Sequence, residues 1–319
     1  MSRDTAQRPA DPQMIAVFDL GVGAGSVVPG ALRRHITDAI ADALSSFPGV
    51  LARPIHLARP PARPLDPNLI DDPEADAQNP PAADRVRFIL YNTLPMDGLL
   101  RRLTLERGCQ VALTGRLGLD RQHVALALNL WEVVTPNLWA CRAATGDLDD
   151  LPAILAELIG DIAWGLQPLG ALARSDASAQ AARSLGTRST PAFEALAAAT
   201  DKLRRLDADP TPDRLLPILQ ALTQALRHDP AFEAPRLILT DIALERLEAG
   251  DDAFCEAMLK TLPTIETQDL VIYDLLIFEA LLRVRGSGEA ARHLERAAAR
   301  FPAAPALARA RARLAPDPA

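Results

Sequence analysis

The chain has 319 residues, 49% of them apolar, and 34 Lys and Arg stand against 41 Asp and Glu for a net charge of −7. That length supports about two globular domains. The acidic balance argues against a general nucleic-acid binder, which presents a basic face to the phosphates. Aromatic residues make up only 4%, so small aliphatic side chains must do most of the packing, a composition that favours helix on helix.

The opening residues MSRDTAQRPADPQ hold no apolar core of the kind a secretory signal needs. No later run reaches the roughly 18–20 apolar residues that span a bilayer. Cys109, Cys141 and Cys255 form an odd set at wide spacing with no CxxC pair, the pattern of free thiols in a reducing compartment. The expectation is a cytoplasmic protein without membrane insertion.

Met14–Leu20, Pro29–Phe47 and Val50–Leu57 read as strand, helix and strand, the helix carrying one apolar stripe at Leu32, Ile36, Ile40, Ala43, Leu44 and Phe47. Between the first two lie Gly21, Gly23 and Gly25, the one stretch that suggests a cofactor loop. A dinucleotide fingerprint puts a third glycine where Ser26 stands and starts its helix at once, whereas this helix starts near Pro29. The second strand also ends without the carboxylate that holds a ribose, and no Gly-Lys-Ser/Thr follows. The loop is therefore expected on the surface, with no cofactor.

Residues 58–83, dense in proline and acid, read as an exposed insertion. DRVRFILYNT at 84–93 reads as a strand and Met96–Gly108 as a short helix. Strands are expected at CQVALTG, QHVALALNLWEVV and NLWACRAA, the middle one alternating Val124, Leu126, Leu128 and Leu130 against Ala125, Ala127, Asn129 and Trp131. That period marks an antiparallel sheet with one face on the core, where Trp131, Trp139 and Trp164 are placed. The acids Asp147, Asp149 and Asp150 then open a helix, as its dipole favours.

Residues 170–189 read as a linker, and from about 190 the strand signal stops. Successive helices pair up, and the pairs end alike at His228-Asp229-Pro230, Thr261-Leu262-Pro263 and Arg300-Phe301-Pro302. The prolines lie 33 and 39 residues apart, which brackets the period of helix–turn–helix repeats. One pair cannot bury its apolar stripe alone, so the pairs are expected to stack into a short solenoid. The fold class is thus an α/β (α+β) domain at 14–168 followed by all-α helical repeats at 190–315.

The helical half resembles tetratricopeptide repeats. Ala225 with Pro230, and Ala290, Leu294 and Ala297 with Pro302, match the pattern of the second helix, and Leu239 fits the large apolar position of the first. Thr240 and Phe278 stand where the pattern has a small residue, and the turn at Glu248-Ala249-Gly250 comes about one helical turn late. The first half resembles the TolB-like amino-terminal domain of bacterial regulators associated with adenylate cyclases. The likeness rests on GCQVALTGRL (Gly108–Leu117), HVALALNLWEV (His123–Val133), TPNLWACRA (Thr135–Ala143) and GDLDDLPAILAELIGDI (Gly146–Ile162) in that order. Pro136-Asn137 replaces that family's Thr-Gly turn, and the first strand ends Phe18-Asp19-Leu20 instead of Pro-Phe. The resemblance implies a non-catalytic module that contacts other proteins.

His35, His56, His123, His228 and His293 are scattered, with no helical pair at metal spacing, and no glycine elbow surrounds Ser45 or Ser46. The expectation is a protein without catalytic or metal-binding residues. A short solenoid holds a peptide in the groove lined by its inner helices, here Glu233, Arg236 and Thr240 on one helix and Tyr273 and Asp274 on the next. Arg292, Arg296, Arg300, Arg309, Arg311 and Arg313 make the C-terminal end locally basic. Two classes stay open. In one, a scaffold binds another protein or peptide through the repeats, while the α/β half binds a second partner or self-associates as a homo-oligomer. In the other, a regulator's α/β half senses a small molecule or nucleotide.

Overall fold

The computed structural model describes residues 12–23, 26–56, 98–120, 122–134, 137–167, 171–206, 210–264 and 271–314. They fall into two compact units, Met1–Thr190 and Pro191–Ala319. The insertion at 58–83, the strand expected at 84–93, Gly25 and Pro136 lie outside the described residues.

The first unit is a mixed sheet with helices on it. Its strands are β1 (Gln13–Phe18), β2 (Gly21–Val22), β3 (Val50–Ile55), β4 (Val111–Asp120), β5 (His123–Glu132) and β6 (Leu138–Asp147), in the order β3-β1-β4-β5-β6, with β2 paired to β4. β1 is parallel to both neighbours, and β4, β5 and β6 form an antiparallel meander. A strand between two parallel neighbours is covered on both faces, which is why Ile15, Ala16, Val17 and Phe18 are all buried.

Helix α1 (Gly30–Ser45) crosses from β1 to β3 and buries the stripe expected of it, Leu32, Ile36, Ile40, Ala43 and Leu44. Pro29, expected in the first helical turn, is the N-cap instead. Val124, Leu126, Leu128 and Leu130 of β5 are buried, but the opposite face is not left to water. Helix α2 (Gly98–Glu106) packs near β4, and Leu103, Cys109, Ala112, Trp131 and Val133 make a second small core there. The indole Nε1 of Trp131 donates to Thr114 Oγ1 at 2.9 Å. Of the other two tryptophans placed in the core, Trp139 keeps 48% and Trp164 43% of its surface in water. Trp139 sits at a bulge on an edge strand and Trp164 near the end of its helix, where no layer of the described residues covers them.

Beyond a 3-10 turn at Leu148–Asp150, helix α3 (Leu151–Leu166) lies against β6. The stretch read as a linker holds a further helix, α4 (Arg174–Leu185), which ends at Gly186 in the left-handed conformation. Its sequence is polar, yet Ala177, Ala181 and Leu185 form a buried line at i, i+4 and i+8. Contact with α3 is close because residue 160 is glycine: a Cβ there would stand 2.6 Å from the backbone of Ser178. The guanidinium of Arg174 clamps the buried carboxylate of Asp161 through both oxygens. Two adjacent residues of α3 thus recruit α4.

The second unit is helical throughout its described residues: α5 (Thr190–Leu203), α6 (Pro212–His228), α7 (Glu233–Ala249), α8 (Asp252–Thr261), α9 (Val271–Val284), α10 (Ser287–Arg300) and α11 (Pro305–Ala312). From α6 on, each helix packs on its successor, and α6 also meets α8, α7 meets α9, and α9 meets α11. Pro230, Pro263 and Pro302 each stand two residues past a helix end, where a residue that cannot continue the helix costs nothing. Phe278, at a position expected to be small, is fully buried against Ala290, Leu294, Ala297, Leu307 and Ala310. The small side chains of α10 and α11 give the large one its space.

Candidate functional site

Helix α7 places the site. Leu239, Ala243 and Arg246 face inward, while Leu237 and Leu244 keep 53% and 45% of their surface in water. Asp241 and Glu248 are exposed on the same face. Leu237, Asp241, Leu244 and Glu248 therefore form one open stripe at i, i+4, i+7 and i+11. Beside it is a depression of about 730 Å³ lined by Leu244, Leu247, Glu248, Asp252, Glu279, Leu282, Arg283 and Arg313.

The walls are fixed by the turn between α7 and α8. Gly250 closes α7 with φ 78°, a conformation glycine adopts at no steric cost. Arg283 of α9 donates from Nη2 to Gly250 O at 2.7 Å, and its Nε lies 2.6 Å from Asp252 Oδ1. A Cβ on Gly250 would also stand 2.5 Å from that guanidinium, the far end of a side chain that would have to swing aside. Asp251 caps α8, its side chain accepting from Phe254 N at 2.9 Å. Across the depression Arg313 pairs with Glu279. Both lining arginines are thus neutralised within the wall, and the stripe contributes two carboxylates beside two leucines.

The groove residues expected from the sequence fall elsewhere. Glu233 is exposed and lies 3.4 Å from Arg236. Thr240 is half-buried, its hydroxyl donating to Arg236 O at 2.9 Å within its own helix. Tyr273 and Asp274 are buried, at 2% and 4% exposure, and present nothing to a ligand. The open face of α7 is turned about one residue from the one expected. Burial pushes the Tyr273 hydroxyl up to about 12, against a smaller opposing effect of Arg236, and that hydroxyl has no hydrogen-bond partner among the described residues. Asp274 lies 3.2 Å from His293 and 3.3 Å from Arg300, contacts that tie α9 to α10.

In the first unit the described part of the glycine stretch, Gly21 to Gly23, is committed to the sheet. Gly21 and Val22 pair with Arg116 and Leu117, Gly23 N donates to Leu117 O at 3.0 Å, and Ser26 N donates to Gly23 O at 3.2 Å. Amides so engaged are not available to cradle a phosphate.

A cluster that sequence reading missed sits beside it. Phe18 and Ile55 are register partners on parallel β1 and β3, so the next residues, Asp19 and His56, emerge side by side. His56 Nδ1 is 2.7 Å from Asp19 Oδ1, and its Nε2 is 2.8 Å from Asp38 Oδ1 on α1. The bonds to Asp19 and then Asp38 hold its pKa up at about 9. The ring is an imidazolium donating at both nitrogens, with no lone pair left for base catalysis or a metal. Burial, then Asp38, raises the carboxyl of Asp42 one turn on. The signal was two polar residues at matching ends of adjacent parallel strands, visible only once their register is known.

Burial raises the thiols of Cys109, Cys141 and Cys255, the opposite direction to an activated thiolate. Among the described residues no group of three His, Cys, Asp or Glu is placed to hold a metal, and no helix is long and apolar enough to cross a membrane.

No family model matches this sequence, and no curated protein does. Among solved structures, a chain of a PelC dodecamer from Paraburkholderia phytofirmans is similar over 55% of this chain and 86% of that one, at 11% identity and a TM-score of 0.27. A score that low carries no argument about fold or function.

Proposed function

We propose that the chain is a non-catalytic adaptor of a bacterial regulatory or signalling assembly in the cytoplasm. In this reading the second unit is a degenerate tetratricopeptide array that holds a basic amphipathic peptide of a partner protein. The first unit is a TolB-like module that supplies a second contact surface. The packing of each helix from α6 on against its successor, with α6 on α8, α7 on α9 and α9 on α11, supports the repeat reading, as do the three prolines after alternate helices. The order of β4, β5, β6 and α3 supports the TolB-like one.

The observation that carries the proposal is the stripe Leu237, Asp241, Leu244 and Glu248. Two leucines seven residues apart anchor an amphipathic ligand, and two carboxylates without arginine partners among the described residues select its charge. The test is selection of helical peptides of both charge signs on the full chain. Leucine- or aromatic-anchored peptides rich in Lys and Arg are expected. Leu237→Asp with Leu244→Asp should weaken them more than tenfold, about 1.4 kcal/mol, without changing the melting curve. Enrichment of acidic peptides, or binding that survives the double variant, overturns the proposal.

A further inference from the structure

The two edges of the sheet are built differently. β3 is six residues long and carries Arg53 and Pro54, both exposed. Charge, brevity and a missing N–H are the standard protections of a free edge against another chain. β6 is ten residues long and has no proline. Its one cation, Arg142, leans back to within 3.9 Å of Asp161 and donates to Cys141 O at 2.9 Å, so it covers one backbone acceptor of the strand and does not project its charge from the edge. The bulge at Leu130/Trp131 lies at the start of the strand, which leaves Ala140–Asp147 as a regular run of eight. Leu138 and Trp139, at 38% and 48% exposure, stand at its entrance. Among the described residues no strand pairs with the outer side of β6.

We propose that β6 is the edge through which two copies of this chain pair, antiparallel, to continue the sheet. A strand paired with its own copy is isologous, so the outward donors and acceptors of each match those of the other. Ala140, Cys141, Ala143, Ala144 and Gly146 put little bulk in the way. The antiparallel sense brings Trp139 of each copy toward the Gly146–Asp147 end of the other.

The area is sufficient, with little to spare. Eight residues span about 27 Å. A strip of that length about 12 Å wide covers roughly 320 Å² on each copy, or about 650 Å² in total. Covering the exposed parts of Trp139 and Leu138 on both copies brings the sum to about 1,000 Å², the lower limit for a specific interface. A reversible dimer follows, not an obligate one.

Sedimentation equilibrium of the full chain decides the matter. The mass should climb with concentration from 34.3 kDa toward twice that value. Trp139→Lys with Thr145→Lys, which restores charge to both ends of the edge, should hold the chain at the monomer mass with unchanged circular dichroism. If the double variant loses its fold, Thr145→Lys alone, at an exposed position, gives the same reading. A wild-type monomer at every concentration overturns the proposal, and so does a dimer that survives the lysines.

Discussion

The imidazolium of His56 gives the sharpest prediction, because its contribution to stability has a sign and a pH window. Its folded pKa is about 9, against an ordinary 6.5. A base whose pKa rises on folding stabilises the native state fully below its unfolded pKa and loses that contribution as pH climbs through the folded one. The window therefore runs from 6.5 to about 9. A fully shielded rise of that size is worth roughly 3 kcal/mol. His56 keeps 31% of its side chain in water, and solvent screening reduces the figure to about 1–2 kcal/mol. Asp42, with its raised carboxyl, is common to wild type and variant, so its contribution cancels in the difference between them.

The assay is urea unfolding of wild type and His56→Gln at pH values on both sides of the window. The variant should be less stable by about 1–2 kcal/mol at the acid end, and the gap should close above pH ~9.5. Proton NMR of the imidazole should show a midpoint near the raised value. An NMR midpoint at the ordinary pKa refutes the double ion pair. A stability gap that stays constant across the window refutes the linkage and reduces His56 to a packing residue.

Two further predictions test the packing. Gly160→Ala drives a methyl into the backbone of α4 at Ser178 and should cost about 1–3 kcal/mol by urea unfolding; an unchanged midpoint would show that α4 does not rest there. Tyr273→Phe removes a buried hydroxyl without a partner among the described residues and should leave the protein as stable or stabilise it by up to about 1 kcal/mol. A loss in that variant would mean that an ordered water satisfies the hydroxyl.

The division into an α/β half and a helical half was legible because it rests on local period. Alternation at Val124, Leu126, Leu128 and Leu130 and the stripe of α1 are properties of single segments. What could not be read depends on two segments at once. Parallel pairing of β1 with β3 brings Asp19 to His56 across 37 residues. α4 is polar by composition, and its alanines count as a buried face only because α3 supplies Gly160 and Asp161 opposite them. Trp139 and Trp164 were placed inside by residue type, whereas their exposure follows from an edge and a helix end.

The open face of α7 resisted sequence reading for a different reason, and that reason bears on function. An apolar stripe identifies the buried side of a helix only when the other side is polar. In α7, Leu237, Ile238, Leu239, Ile242, Ala243, Leu244 and Leu247 run round most of the cylinder, so several orientations bury a similar apolar area. The neighbours decide: α6, α8 and α9 take the side of Leu239, Ala243 and Arg246. The outcome inverts the usual preference, with Arg246 at 8% exposure inside and Leu237 at 53% outside. Removing a leucine of that kind from water is worth about 1–2 kcal/mol, a gain that folding leaves unused at both Leu237 and Leu244. On the proposed reading a partner that covers the stripe collects it, and Asp241 between the leucines with Glu248 one turn beyond them favours a basic one.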